Sequence, residues 1–170
     1  MGGIKKFIKN WVIPLLIAFV IAKLVNEFLI FRVSIPSESM MPTIDKGDQF
    51  IAKKIYNTNK IKRGDIIIFW SKELDTMVIK RAIGLPGDEI DISNGTVNVN
   101  GEDLIESYVE DDTNYSGKFY VPEESFFFLG DNRGNSKDSR LWKNPYIYKD
   151  DIKGEPLFRC YPFDKVGLIK

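Results

Sequence analysis

The 170 residues suit one domain of moderate size, or a domain with an appendage, and 44% hydrophobic content allows a real core. The 24 basic and 24 acidic residues cancel, which gives no electrostatic reason to expect nucleic acid. There is one cysteine, Cys160, and no histidine. An internal disulfide, a cysteine- or histidine-ligated metal and a Ser-His-Asp triad are therefore excluded, and no cofactor or metal is expected.

Residues 1–10 carry Lys5, Lys6 and Lys9, and residues 11–31 then read WVIPLLIAFVIAKLVNEFLIF. As a helix that segment spans about 31 Å, close to one bilayer core. Lys23, Asn26 and Glu27 interrupt its second half. A buried helix would need a dry partner for Lys23, whereas at a membrane edge the side chain snorkels, and Glu27 lies one turn away to pair with it. No small-x-small cleavage site follows the run, which argues against a removed signal. The expectation is an uncleaved single-pass anchor in the cell membrane. The lysines before it place residues 1–10 in the cytoplasm and residues 32–170 outside.

Residues 34–44 read SIPSESMMPTI, with Ser37 and Ser39 one residue apart between Pro36 and Pro42, beside two methionines that look exposed. Serine and proline make turns, and that alone accounts for the stretch. The alternative is a hydroxyl held up for chemistry. The eight residues from Phe31 to Ser39 reach at most about 26–29 Å, which keeps that serine near the membrane surface.

Short β-branched and aromatic runs at 49–56, 65–70, 76–85, 125–130 and 157–161 are predicted strands. Residues 89–101, EIDISNGTVNVNG, are a predicted hairpin turning at Asn94-Gly95. Residues 103–117 are acidic and polar and read as a mobile loop. The predicted fold is mostly β: an antiparallel catalytic domain over 32–170, with a smaller inserted β subdomain at about 88–123.

Without histidine, a nucleophilic serine needs another base, and lysine serves only when neutral. At the reference pKa of about 10.4, roughly one lysine in a few thousand is neutral at pH 7; burial can lower that pKa by several units. In the strand MVIKRAIG, residues 77–84, alternation puts Lys80 on one face with Val78 and Ala82, and Arg81 on the other. A solvent-facing Lys-Arg pair on an edge strand fits the same segment. Residues 130–140, GDNRGNSKDSR, make a loop dense in hydrogen-bonding side chains. It is either a surface turn or a support in which Ser136 orients a lysine amine while Asp138 pairs with Arg140.

These segments resemble, in order, the sequence boxes of bacterial type I signal peptidases. IPSESMMPTI resembles the serine box, KRGDIIIFW the next, KRAIGLPGDEI the lysine box and LGDNRGNSKDSRLW the last. The single anchor and the ending LFRCYPFDKVGLI are similar to Gram-positive members. Lys143 departs from the pattern, standing after Trp142 where the family usually has glycine.

The resemblance implies Ser39 as nucleophile and Lys80 as its general base. It further implies the Ser37 hydroxyl and Ser39 N–H as oxyanion donors, and Ser136 as the partner of the lysine amine. Asp138 with Arg140, and Arg81 with Asp131, become supporting pairs. Ile35, Val78 and Ile79 line substrate pockets for small side chains one and three residues before the cut. The implied fold has two antiparallel β-sheet parts. The implied partners are secretory preproteins, the lipid bilayer and the translocation machinery, with no nucleic acid. An autoproteolytic repressor-type Ser/Lys peptidase would need a DNA-binding domain where this chain has its apolar segment. A non-enzymatic tethered β-domain would leave Ser39 as a mere turn residue.

Overall fold

In the computed structural model, residues 2–110 and 113–169 are described. The chain divides into two compact units, Met1–Phe31 and Arg32–Lys170.

The first unit is helical: α1 (Gly2–Phe7), a π-helical stretch at Ile8–Val12, and α2 (Ile13–Phe28). The wider turn has a local cause. Pro14 stands in the first turn of α2 and has no N–H to give, and just ahead of it Ile13 N–H bonds the carbonyl of Ile8, five residues back. From Gly3 to Phe28 the helix is long and apolar enough to cross a bilayer, and none of that face is buried within the protein. It begins earlier and stops sooner than hydropathy implied. Leu29 N–H closes the last turn on Val25 O, and Ile30 and Phe31 belong to a strand, as their β-branched and aromatic side chains favour.

The second unit is built on two sheets. The larger holds eight strands in the order β1 (Ile30–Ser34), β2 (Gln49–Lys54), β11 (Ile152–Tyr161), β3 (Ile66–Ser71), β4 (Thr76–Gly84), β9 (Ser125–Leu129) and β10 (Tyr146–Tyr148), with β12 (Gly167–Leu168) paired to β11. The smaller runs β7 (Glu102–Asp103), β6 (Thr96–Val99), β5 (Glu89–Ser93) and β8 (Gly117–Tyr120). The mostly antiparallel fold expected from sequence is the fold observed. The β5–β6 hairpin turns at Asn94 and Gly95, both at positive φ, as an Asn-Gly pair permits.

Four consecutive buried residues of β9 link two cores. Phe126 and Phe128 point into a cluster with Ile67, Phe69, Trp142 and Ile152, where the Phe69 and Phe128 rings stack at 4.4 Å. Phe127 and Leu129, on the alternate face, join Ile83 and the small sheet's Ile90, Ile92, Val97 and Val99. At about 2–3 kcal/mol for each fully buried large side chain, β9 is a principal seam of the domain. Gly84 lies at that seam, where a Cβ would come within 2.7 Å of Val121 Cγ2.

β4 is an interior strand, so the solvent-facing edge reading of Lys80 and Arg81 does not hold. Lys80 pairs with Ile67 of β3 on one side, while β9 joins β4 only from Arg81 onward. Both side chains are buried, as is every residue from Ile79 to Gly84. The loop expected at 103–117, of which residues 111 and 112 lie outside the described residues, also departs from expectation at Glu106, Tyr108 and Tyr115. Beyond β7, Tyr115 donates its hydroxyl to Arg140 O at 3.1 Å, and Glu106 and Tyr108 pack against the domain through the contacts given below.

Candidate active site

The turn that carries Ser39 is pinned from beneath. Ile35 N–H bonds Asp48 O at 2.9 Å, and Gly47 N–H bonds Ile35 O at 2.8 Å, tying both ends of the turn together ahead of β2. Met40 and Ile44 are fully buried, and Ile44 N–H reaches Met40 O at 2.8 Å. Met40 is thus a core residue, not an exposed one. With the turn anchored, Ser39 Oγ lies 3.2 Å from Ser37 Oγ and accepts a hydrogen bond from Lys80 Nζ.

Lys80 is 3% exposed. Burial pushes its pKa down to about 8, against the opposing pull of the Asp138 and Asp131 carboxylates. Roughly one such amine in ten is then neutral at pH 7, several hundredfold more than for a free lysine. A proton acceptor and a hydroxyl thus meet in a site without histidine.

Ser136 is buried in the same cavity, but its Oγ makes no hydrogen bond among the described residues. The contact to the Lys80 amine that the resemblance implied is not formed here. What Ser136 touches is the backbone. At Gly130 a Cβ would overlap both Ser136 Oγ and the Ser39 carbonyl oxygen, so three segments converge where only glycine fits.

The loop after β9 holds this convergence with charged pairs. Arg81 binds Asp131 in a fork, Nε to Oδ1 at 2.8 Å and Nη2 to Oδ2 at 2.5 Å, and also bonds Gly64 O. Asp131 accepts a further bond from Thr43 Oγ1 on the serine turn at 2.5 Å. Arg140 forks onto Asp138 at 2.8 and 2.9 Å, and Asp138 also accepts from Gly130 N–H. Asn132 completes the contact to the serine turn: its N–H bonds Ser39 O, and its Nδ2 bonds Glu38 O, each at 3.1 Å.

A cavity of about 530 Å³ opens beside Ser39 and Lys80. Ile35, Val78 and Ile79 line it, together with Ile68, Leu74, Met77 and Leu141, which sequence reasoning missed. Thr43, Asn132, Arg133, Glu106 and Tyr108 were missed as well. Thr43, Asn132 and Arg133 lay inside the quoted boxes, whereas nothing in the sequence marked Glu106 or Tyr108. Lys143 meets Glu73 through its backbone N–H at 2.8 Å, an interaction that leaves the side chain outside the site.

Residues 8–161 match the family model described as signal peptidase, peptidase S26. The chain belongs to that family. It is 38% identical over 163 residues to a signal peptidase I of Leptolyngbya laminosa, covering 90% of this chain and 79% of that protein. With signal peptidase I P of Bacillus subtilis subsp. natto the identity is 36% over 178 residues, covering 98% and 96% respectively. Signal peptidase IB of Staphylococcus aureus strain COL is 33% identical, with 95% of this chain and 93% of that protein covered. A crystal structure of a signal peptidase I from Enterococcus faecalis V583 is 34% identical and superposes on 56% of this chain and 96% of that chain with a TM-score of 0.49.

Proposed function

We propose that this chain is a membrane-anchored serine endopeptidase that removes signal peptides from secretory preproteins, with Ser39 as nucleophile and Lys80 as general base. The observation that carries the reading is the buried Lys80 amine, its pKa lowered to about 8, hydrogen-bonded to Ser39 Oγ. The neutral amine takes the Ser39 proton as Oγ attacks the scissile carbonyl. The Ser37 hydroxyl and the Ser39 N–H stabilise the oxyanion, where one donor is typically worth ~10²–10³ in rate. Protonated Lys80 gives its proton to the departing amine, leaving an acyl-enzyme. The amine, neutral again, deprotonates the water that releases the acyl group. Ser136, with a free buried hydroxyl, is available to the amine once Ser39 Oγ becomes acylated.

The apolar cavity supports a preference for small residues one and three positions before the cut. Ile35 and Ile79 are nearly fully buried, so the walls do not yield, and overfilling a packed pocket costs ~1–3 kcal/mol. Residues 1–10 stay in the cytoplasm because Lys5, Lys6 and Lys9 lie in the first turns of the helix, ahead of its uninterrupted apolar stretch, which puts the catalytic domain, residues 32–170, outside the cell membrane beside the translocation machinery. Within that domain, about 88–123 is the smaller β subdomain. No nucleic acid takes part.

Incubating the protein with a preprotein and reading the new N-terminus by mass spectrometry tests the reading. A single cut after a small residue, abolished in Ser39→Ala, is expected. Cleavage that persists in Ser39→Ala would remove the nucleophile assignment.

A further inference from the structure

Resting on that catalytic reading, the geometry points to Glu106 and Tyr108, in the segment after β7, as positioning residues that set the nucleophile turn against the lysine. They act by gripping two arginines at once. The Glu106 carboxylate forks onto Arg133, Oε2 to Nη1 at 2.9 Å and Oε1 to Nη2 at 2.5 Å, with both side chains buried. Arg133 Nε donates to Gly130 O at 3.0 Å, and Gly130 is the residue wedged against the Ser39 carbonyl and Ser136. Tyr108 donates its hydroxyl to Glu106 Oε1 at 2.7 Å and lays its ring against the Arg81 guanidinium, 3.8 Å from Cζ to the ring centroid. Arg81 in turn holds Asp131, which holds Thr43 of the serine turn.

Two chains of contact thus leave one short segment of the small sheet's connection, one ending at Gly130 beside the Ser39 carbonyl and the other at Thr43 of the serine turn. One runs Glu106, Arg133, Gly130; the other runs Tyr108, Arg81, Asp131, Thr43. Neither Glu106 nor Tyr108 lines the substrate cavity. The role assigned is therefore to orientation and not to binding. A cation stacked on an aromatic face and a forked ion pair are both directional contacts, and a misplacement of about 1 Å at reacting atoms costs about 10² in rate.

The test uses the full chain in detergent with a soluble signal-like peptide. Glu106→Gln, Tyr108→Leu and Tyr108→Phe are compared by kcat, KM and thermal unfolding, with active-site titration by an acylating ester to count competent enzyme. Asp103→Ala serves as a control from β7, just ahead of that segment, where a surface bond to Asn98 is lost. Glu106→Gln and Tyr108→Leu are expected to lower kcat per folded molecule by about tenfold or more, with KM within about twofold. Tyr108→Phe keeps the ring over Arg81 and should recover most of the rate; Asp103→Ala should match the parent. Lower melting temperatures with kcat per folded molecule unchanged would overturn the proposal, because the contacts would then be structural only. A raised KM at constant kcat would overturn it too, by placing the residues in substrate binding. If Tyr108→Leu does not fold, the Glu106→Gln and Tyr108→Phe pair decides by the same criteria. An Asp103→Ala loss equal to that of Glu106→Gln would also overturn it, whereas full turnover by Ser39→Ala would remove the catalytic reading on which it rests.

Discussion

An amine whose pKa falls to about 8 by burial weakens the folded chain wherever it must carry a proton. Between about pH 8 and 10.5 the unfolded chain binds more protons at Lys80 than the folded one, so stability rises with pH through that window. Below it the full penalty is present, about 3 kcal/mol for a shift of this size. Lys80→Met should therefore abolish turnover yet stabilise the fold by about 1–3 kcal/mol at pH 7, after the lost bond to Ser39 is counted. That gain should fade as pH approaches 10.5. Urea unfolding at pH 7 and at pH 10 checks this, and a Met variant less stable at pH 7 would mean the amine is not burdened by burial. Gly130 poses the converse case, since its conformation is ordinary and only space is short. Gly130→Ala must push apart the Ser39 carbonyl and Ser136, so cleavage should fall about 10²-fold or more, with stability falling by ~1–3 kcal/mol. Wild-type rates in this variant would mean the convergence does not matter to the chemistry.

The connection from β9 to β10 is held by buried side-chain bonds although it has little regular structure. Asp138 is fully buried and takes bonds from Arg140 and from Gly130 N–H. Arg140→Ala should strip the buried Asp138 carboxylate of its forked partner, at a cost of about 3–5 kcal/mol in unfolding free energy, and should lower turnover because Gly130 N–H shares that carboxylate. Melting and rates equal to wild type would make the pair decorative. Much of this region was legible in the sequence. Short β-branched and aromatic runs marked β3, β4 and β9, and the Asn-Gly pair marked the β5–β6 turn, because those signals are local. Lys80 was ambiguous for a physical reason: alternation gives the face of a strand but not its neighbours, and burial followed from β3 and β9 closing on β4. Around Glu106 and Tyr108 the sequence misled because its acidic composition looks like a solvated loop. Glu106 is buried only because Arg133, distant in sequence, arrives to pair with it. Ser136 shows the limit of resemblance: its position was right for the cavity, yet its hydroxyl makes no bond to the amine in this state.

The helical unit and the β unit, which starts at Arg32, are compact separately, and strand β1 starts two residues earlier, at Ile30. A chain starting at Ile30 should therefore fold and cleave a soluble signal-like peptide at close to the full-length rate, while losing speed on vesicle-bound preprotein. Tethering at a bilayer supplies an effective concentration of about millimolar for short linkers, and removal of the helix forfeits it. Equal losses on both substrates would mean that the helix supports the active site itself. For the chemistry as a whole, the pH dependence of kcat/KM on the soluble peptide is the most direct measurement. With Lys80 as the base, kcat/KM should rise about tenfold per pH unit on the acid side and level off above an apparent pKa near 8. A profile flat from pH 6 to 10, or one still climbing toward the ordinary lysine value, would contradict a buried neutral amine as the proton acceptor of Ser39.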